Sequence, residues 1–284
     1  MKPAPFAYHA PTGLQEALKL LAALAPQDGR ILAGGQTLVP TMAFRMARPA
    51  HLIDINGIRE LDGVSVAGDR LRIGACTRHA YFESDKIPGR LGDLLRKVVR
   101  FIAHYPIRQR GTFCGSVANS DPSSEWCCVT AALDGIVVAE SERGARRIAA
   151  KDFYKAVMTT ELRDDEMITA VELPLLVDDT RTGFCEFSRR AGDFGIAMAL
   201  VTYRLEGSRI TDAHVGLGGA EATPRRIAEA EAALSRKEPK SEIFAAAGAA
   251  AAAAIDPIDD NNNPTEYRRA LVQTLVERAL AGAA

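Results

Sequence analysis

The chain has 284 residues, 35 basic and 36 acidic, with a formal net charge of −1; 47% of residues are hydrophobic and 25% charged. This balance belongs to a folded globular protein of about two domains and excludes a disordered chain. Near-neutral charge supplies no global field for nucleic acid or an anionic membrane, so any anion must be held locally.

The N-terminal stretch MKPAPFAYHAPTG lacks the long apolar core of a signal peptide. No window reaches the ~18 apolar residues of a spanning helix. The expectation is a cytoplasmic chain without membrane insertion. Cys76, Cys114, Cys127, Cys128 and Cys185 fit that compartment. They are odd in number and include no CxxC, so a zinc or iron–sulfur site within this chain is not expected.

Thr12-x-x-Gln15 reads as a capping box, and Leu14, Ala17, Leu18 and Leu21 form an apolar helical face. Residues 30–33 read as a short strand, 34–37 as a turn, 38–46 as a second helix and 51–55 as the next strand. The first 55 residues therefore predict a β-α-β unit. Residues 71–75 read as a strand, 91–104 as a helix and 107–121 as an irregular Gly/Ser/Asn-rich stretch. Asp121 reads as the N-cap of a helix opened by Pro122 and ended at Gly135, with Glu125 in its first turn. Residues 136–139 and 167–173 read as strands, and the polar segment 175–182 as a linker. Strand-like runs at 184–188, 197–205 and 213–217 follow. Helical runs at 224–234, 241–254 and 264–280 come last, which signals a separate α+β domain. The Ala-rich run 245–254 belongs to a helix because Ala is the best helix former.

Two segments carry a chemical signal. In Ala33-Gly34-Gly35-Gln36-Thr37, paired glycines between strand and helix let backbone N–H groups approach an anion. The segment is neither GxGxxG nor a P-loop. Taken alone, a plain β-to-α turn also accounts for it. Residues 111–125 again set glycines and small hydroxyl residues ahead of a helix, with Glu125 placed to meet ribose hydroxyls. Capping by Asp121 and dipole compensation by Glu125 account for those two residues taken alone. Two such loops in one domain point to a dinucleotide diphosphate held between them. The five histidines show no metal-ligand spacing, and no nucleophile or catalytic residue is legible. Trp126 and Cys127-Cys128 read as core. Arg108-Gln109-Arg110 reads either as a phosphate contact or as a solvated face.

These residues resemble the FAD-binding medium subunit of the molybdenum hydroxylases, the xanthine dehydrogenase and carbon monoxide dehydrogenase family. The resemblance covers nearly the whole chain. It rests on residues 33–38 running through 44–49 to 52–55, on 107–112 through Asp121-Pro122, on 189–194, and on 222–226 with 266–269. It implies an α+β fold: a two-subdomain FAD-binding domain of the p-cresol methylhydroxylase/vanillyl-alcohol oxidase type, residues 1–176 with subdomains of about 1–55 and 56–176. Residues 177–284 would form a C-terminal α+β domain with a small antiparallel sheet and helices.

The resemblance also implies a large molybdopterin subunit and a small subunit with two [2Fe–2S] clusters, arranged as a dimer of heterotrimers. Electrons from N-heteroaromatic hydroxylation or aldehyde oxidation would pass through the clusters to FAD and then to an external acceptor. By position, Ile31, Leu32, Ala33, Gly34, Gly35, Gln36, Thr37 and Leu38, with Thr112, Phe113, Cys114, Gly115 and Ser116, would hold the diphosphate, and Gly111 would also belong to the cofactor site. Ala118, Asn119, Asp121 and Glu125 would line the ribose and adenosine side. Ile168, Phe194, Ile102 and Glu186 would lie near the flavin. The chain departs from the family pattern at Cys114, where glycine is usual, and at Glu186, where lysine is common. An anionic Glu186 would raise the cost of the reduced anionic flavin. Pro106 and Gln109 also replace more usual residues. Two alternatives stay open on sequence: a stand-alone FAD oxidase of the same fold, and a scaffold subunit that has lost FAD.

Overall fold

A computed structural model describes residues 2–260 and 262–283. The first 55 residues form a parallel three-stranded sheet in the order Ala7–His9, His51–Asp54, Gly29–Leu32. Helix Leu14–Leu24 buries Ala17, Leu18 and Leu21. Its start corrects the capping-box expectation. The N-cap is Gly13, without a side-chain bond. Glu16 accepts from the Thr12 N–H at 2.9 Å, and Glu60 accepts from the Leu14 N–H at 2.8 Å. The second helix is shorter than expected, Leu38–Ala43, and the chain turns away at Arg45, whose φ is 60°.

The middle of the chain builds an antiparallel five-stranded sheet in the order Val64–Ala67, Arg70–Gly74, Met167–Pro174, Ile136–Ser141, Gly144–Ala149. The first and last of these strands carry no sequence signal strong enough to expect them. Helix Gly89–Val98 packs beside this sheet's core and ends six residues earlier than the 91–104 expectation. Residues 107–121 are not irregular throughout. They contain the helices Tyr105–Arg108, which begins just ahead, and Phe113–Asn119. Thr112 caps the latter by accepting from the Gly115 N–H at 3.0 Å, and Phe113 and Val117 anchor it in the core. The next helix is Glu125–Ala132, with Ser124 at its N-cap. Asp121 is therefore not the cap; its carboxylate closes an Asx turn on the Ser123 N–H at 2.9 Å.

The C-terminal sheet is antiparallel: Arg181–Phe187, Ala197–Glu206, Arg209–Gly218 and the short Arg225–Arg226. The strand Ala197–Glu206 shows why its sequence is continuously apolar. Side chains alternate across a sheet. Ala197, Ala199, Val201 and Tyr203 face the C-terminal core with helices Ala228–Leu234, Ser241–Ala254 and Thr265–Ala281. Met198 and Leu200 join the core of the preceding domain. One sheet therefore serves two cores. Helix Glu125–Ala132, buried along its whole length, lies against the second face, and a Cβ on Gly216 would collide with Ala132. Arg268, 5% exposed, ties the last helix to this junction through the carbonyls of Ile196 at 2.6 Å and Gly219 at 2.7 Å.

The core beneath residues 111–119 is aromatic. Phe113 stacks on Trp126 with centroids 4.7 Å apart, and Phe82 packs against both. Trp126 donates from Nε1 to Nδ1 of His79 at 2.9 Å. Burial, with Arg78 and Arg108 nearby, pushes the His79 ring down to about 3, so it is neutral and free to accept. Replacing Trp126 with Phe should orphan that buried acceptor. The expected loss is about 1–3 kcal/mol in chemical denaturation, beyond any repacking cost. Unchanged stability would show that the bond contributes nothing.

Candidate functional site

The two glycine loops meet. Gly34 lies so close to the second loop that a Cβ there would stand 2.5 Å from the Arg110 carbonyl oxygen and 2.6 Å from Gly111 Cα. Gly35 has φ of 69°, the left-handed region that lets the chain turn into helix Leu38–Ala43. Gly111 packs on the His79 ring, and its carbonyl accepts from the backbone N–H of His79 at 2.9 Å. Phe113 N–H in turn reaches the Thr77 carbonyl at 3.0 Å. Residues 77–79 thus brace the second loop from below.

Backbone donors accumulate at this contact. Among the described residues, no backbone bond within the chain takes the N–H of Gln36, Thr37, Leu38 or Cys114. The helices behind these groups have only six and seven residues, so the amides themselves, rather than a long helix dipole, are the donors for an anion.

The sequence-expected residues divide by what they present. Ile31 and Leu32 end the strand Gly29–Leu32, Ala33 to Thr37 form the turn, and Leu38 opens the helix. Phe113 and Cys114 turn their side chains into the core and offer only backbone. Cys114 Sγ lies 3.5 Å from the Ile73 carbonyl, and burial raises its pKa well above the thiol range. Cysteine in place of glycine therefore fills core space without crowding the loop. Gly115 and Ser116 are half-buried, Ala118 is exposed, and Asn119 and Asp121 are half-buried. Ile168 sits buried beside a bulge in the central strand Met167–Pro174. Ile102 is also buried, its carbonyl accepting from Arg108 at 2.9 Å. Phe194 is 72% exposed on the connection after the strand Arg181–Phe187.

Glu125 and Glu186 come together across the junction of the two domains. Glu125 is 8% exposed at the start of helix Glu125–Ala132, and Oε2 of Glu186 is buried without a hydrogen-bond partner. Among the described residues, no salt bridge reaches either carboxylate. Burial raises both pKa values, and the Glu125 charge raises that of Glu186 further. Asp121 adds further negative potential at Glu125. Burial without a cation disfavours ionisation of both carboxylates, so the surroundings oppose an anionic Glu186. Nearby, Ser120 Oγ and Ser124 Oγ are also buried and unpartnered.

Sequence reasoning missed Asn56 and Arg78. Asn56 Nδ2 donates to the Ala33 carbonyl at 2.8 Å, and Arg78 Nη2 donates to Asn56 Oδ1 at 2.6 Å. Arg78 Nη1 donates to the Arg110 carbonyl. Asn56 stands directly after the recognised run 52–55, which was the available signal.

No group of three or more His, Cys, Asp or Glu side chains suited to a metal occurs among the described residues. No helix of the described residues is long and apolar enough to cross a membrane.

Such a fold, with paired glycine loops meeting at free amides, is the scaffold of a flavin-binding oxidoreductase subunit. Residues 4–176 match the family model "FAD binding domain in molybdopterin dehydrogenase", and residues 182–283 match "CO dehydrogenase flavoprotein C-terminal domain". The chain belongs to the FAD-binding medium-subunit family of the molybdenum hydroxylases. It is 36% identical to the nicotine 6-hydroxylase medium subunit of Paenarthrobacter nicotinovorans, over 97% of this chain and 96% of that protein. The solved carbon monoxide dehydrogenase of Hydrogenophaga pseudoflava superposes with a TM-score of 0.95 at 34% identity, covering 100% of this chain and 98% of that one. Quinoline 2-oxidoreductase of Pseudomonas putida 86 gives 0.94 at 31% identity, covering 100% and 98%. The α+β architecture expected from sequence is thus the observed one.

Two outcomes follow from this geometry. Gly34→Ala would force backbone against backbone, an overpacking cost of about 1–3 kcal/mol. If the loops separate to relieve it, FAD affinity in a flavin-fluorescence titration should fall about 5–150-fold. Unchanged affinity would dissociate the loop contact from FAD binding. The second outcome concerns pH. Both folded-state carboxylate pKa values are raised above their unfolded values. Their stabilising contribution is therefore full below the ordinary carboxylate range and is lost as pH rises through the raised values. Glu186→Gln should flatten this loss and leave the apo-protein more stable than wild type at mildly alkaline pH. Parallel denaturation curves for the two proteins across pH would contradict the coupling.

Proposed function

We propose that this chain is the FAD-carrying electron-transfer subunit of a heterotrimeric molybdenum hydroxylase. The observation that supports it most directly is the contact of the two glycine loops, which gathers unspent backbone N–H groups where a diphosphate would lie. Residues 31–38 and 111–116 would hold the diphosphate. Ala118, Asn119, Asp121 and Glu125 would line the ribose and adenosine side, where the unpartnered hydroxyls of Ser120 and Ser124 also lie. Ile168, Phe194, Ile102 and Glu186 would bound the flavin. In this reading residues 1–176 form the FAD-binding domain, with a division near residue 55, and 177–284 form the C-terminal domain.

FAD, when bound, supplies the exchange of electrons. The chain's own residues bind and orient it and exclude water from its phosphate side. No residue of the site is assigned to acid–base chemistry on an organic substrate, so substrate oxidation belongs to partners. Those partners would be a large molybdopterin subunit and a small subunit with two [2Fe–2S] clusters, in a cytoplasmic dimer of heterotrimers. Electrons would arrive from the clusters and leave to an external acceptor. The N-heteroaromatic compounds in the names of several relatives, nicotine and caffeine among them, support an N-heteroaromatic substrate, and the glyceraldehyde dehydrogenase relative supports an aldehyde.

The test is anaerobic. The FAD-loaded chain should not bleach when N-heteroaromatic compounds or aldehydes are added alone. It should bleach once the molybdenum and iron–sulfur partners are added. Bleaching without partners would instead establish a stand-alone flavin oxidase, and a chain that takes up no FAD would be a scaffold subunit.

A further inference from the structure

We infer that Arg78 and Asn56 are positioning residues that hold the two glycine loops at the spacing a diphosphate requires. This rests on the function proposed above. The first loop follows a strand of the parallel sheet and the second joins the helices Tyr105–Arg108 and Phe113–Asn119, and no strand pairing links the two. Their direct contact is a glycine Cα against backbone, which supplies only weak, non-directional dispersion. The polar connection runs through side chains. Asn56 Nδ2 holds the Ala33 carbonyl at 2.8 Å, and Asn56 Oδ1 accepts from Arg78 Nη2 at 2.6 Å. Arg78 Nη1 then holds the Arg110 carbonyl. A single chain of hydrogen bonds thus runs from the residue before Gly34 to the residue before Gly111.

The chemistry explains the residue types. Asn56 must donate on one side and accept on the other, which an amide does and a carboxylate does not. Its orientation is fixed by Asp54, whose Oδ1 accepts from both the Asn56 N–H at 2.9 Å and Nδ2 at 2.6 Å. Asp54 Oδ2 is in turn held by the Tyr8 hydroxyl at 2.5 Å. Arg78 must reach two acceptors in different directions, and the planar guanidinium presents donors in a fixed fork. It is half-buried, in register with the second loop through an isolated bridge to Thr112. Its positive charge also lies between the loops, where it lowers the cost of bringing two phosphates there. Neither residue is needed to close the hydrophobic core.

The experiment uses the full chain and two probes: FAD and ADP, a diphosphate without a flavin. Arg78→Gln should weaken both by a similar factor, about tenfold or more, with little change in the apo-protein melting temperature. Arg78→Lys, which keeps charge but loses the fork, should recover only part of the affinity. Asn56→Asp should weaken both probes, since it removes the donor to Ala33. The double variant Arg78→Gln/Asn56→Asp should lose less than the product of the single losses, because both act on one connection. Equal losses of stability and binding would overturn the inference in favour of a merely structural role, as would fully multiplicative losses. Loss of FAD affinity with ADP affinity intact would place these residues at the flavin end and overturn it too. If wild type binds neither probe, the functional proposal fails; unaltered binding in the variants of a binding-competent wild type defeats the positioning role alone.

Discussion

The contact between Gly34 and the Arg110–Gly111 backbone sets the geometry on which the rest of the site depends. The first loop follows a strand and the second joins two short helices, and only hydrogen atoms in place of side chains let two backbones approach within van der Waals distance. The surrounding structure serves this contact from both directions. From below, residues 77–79 and the neutral His79 ring carry the second loop on an aromatic core. From above, the strand and turn at residues 29–37 bring the first loop to it. The diphosphate position is therefore a consequence of how these elements are packed, and neither loop would define it alone.

The C-terminal sheet extends the same logic. Its strand Ala197–Glu206 divides its side chains between two cores, so the domain junction is part of the hydrophobic interior. Burial at that junction explains why Glu125 and Glu186 behave as a pair. A carboxylate in such a place keeps its charge only beside a cation, and among the described residues no salt bridge reaches either one, while Oε2 of Glu186 has no hydrogen-bond partner. The junction therefore holds less negative charge at neutral pH than its composition suggests. A sequence comparison that substitutes Glu for Lys at position 186 suggests a reversal of charge. The folded environment opposes that charge, because burial and Glu125 both raise the Glu186 pKa.

Much of the architecture was legible because it follows hydrophobic period. Leu14–Leu24 shows a helical apolar face, and the strands around residues 31, 53, 73, 137 and 171 read as short apolar runs, most of which the fold buries. The helix Phe113–Asn119 was not legible. Gly, Ser and Asn have low helix propensity, and the segment is helical because Thr112 caps it and Phe113 and Val117 anchor it. Asp121 looked like a cap because Asp-Pro often precedes a helix, yet here the side chain satisfies Ser123 in a turn and the helix begins later. The glycines of both loops were legible as backbone chemistry. Their contact was not, since it depends on tertiary placement of the two loops.

The same limit explains Asn56 and Arg78. They are 22 residues apart, and Arg78 acts on a carbonyl 32 residues beyond it. Neither lies in a glycine loop, so a search for phosphate-binding motifs passes over both. Yet a loop that binds through its backbone has no side chain with which to fix its own position. Its precision must come from groups that hold its carbonyls, because carbonyls and amides of one peptide unit move together. Drawing the Ala33 carbonyl toward a side chain behind the loop directs the amide that follows it, that of Gly34, to the opposite side, while the Gly111 amide is held by the Ile107 carbonyl at 2.8 Å and fixes the second loop in place. A backbone anion site therefore needs carbonyl acceptors satisfied from behind as much as it needs free donors in front, and this structure supplies both.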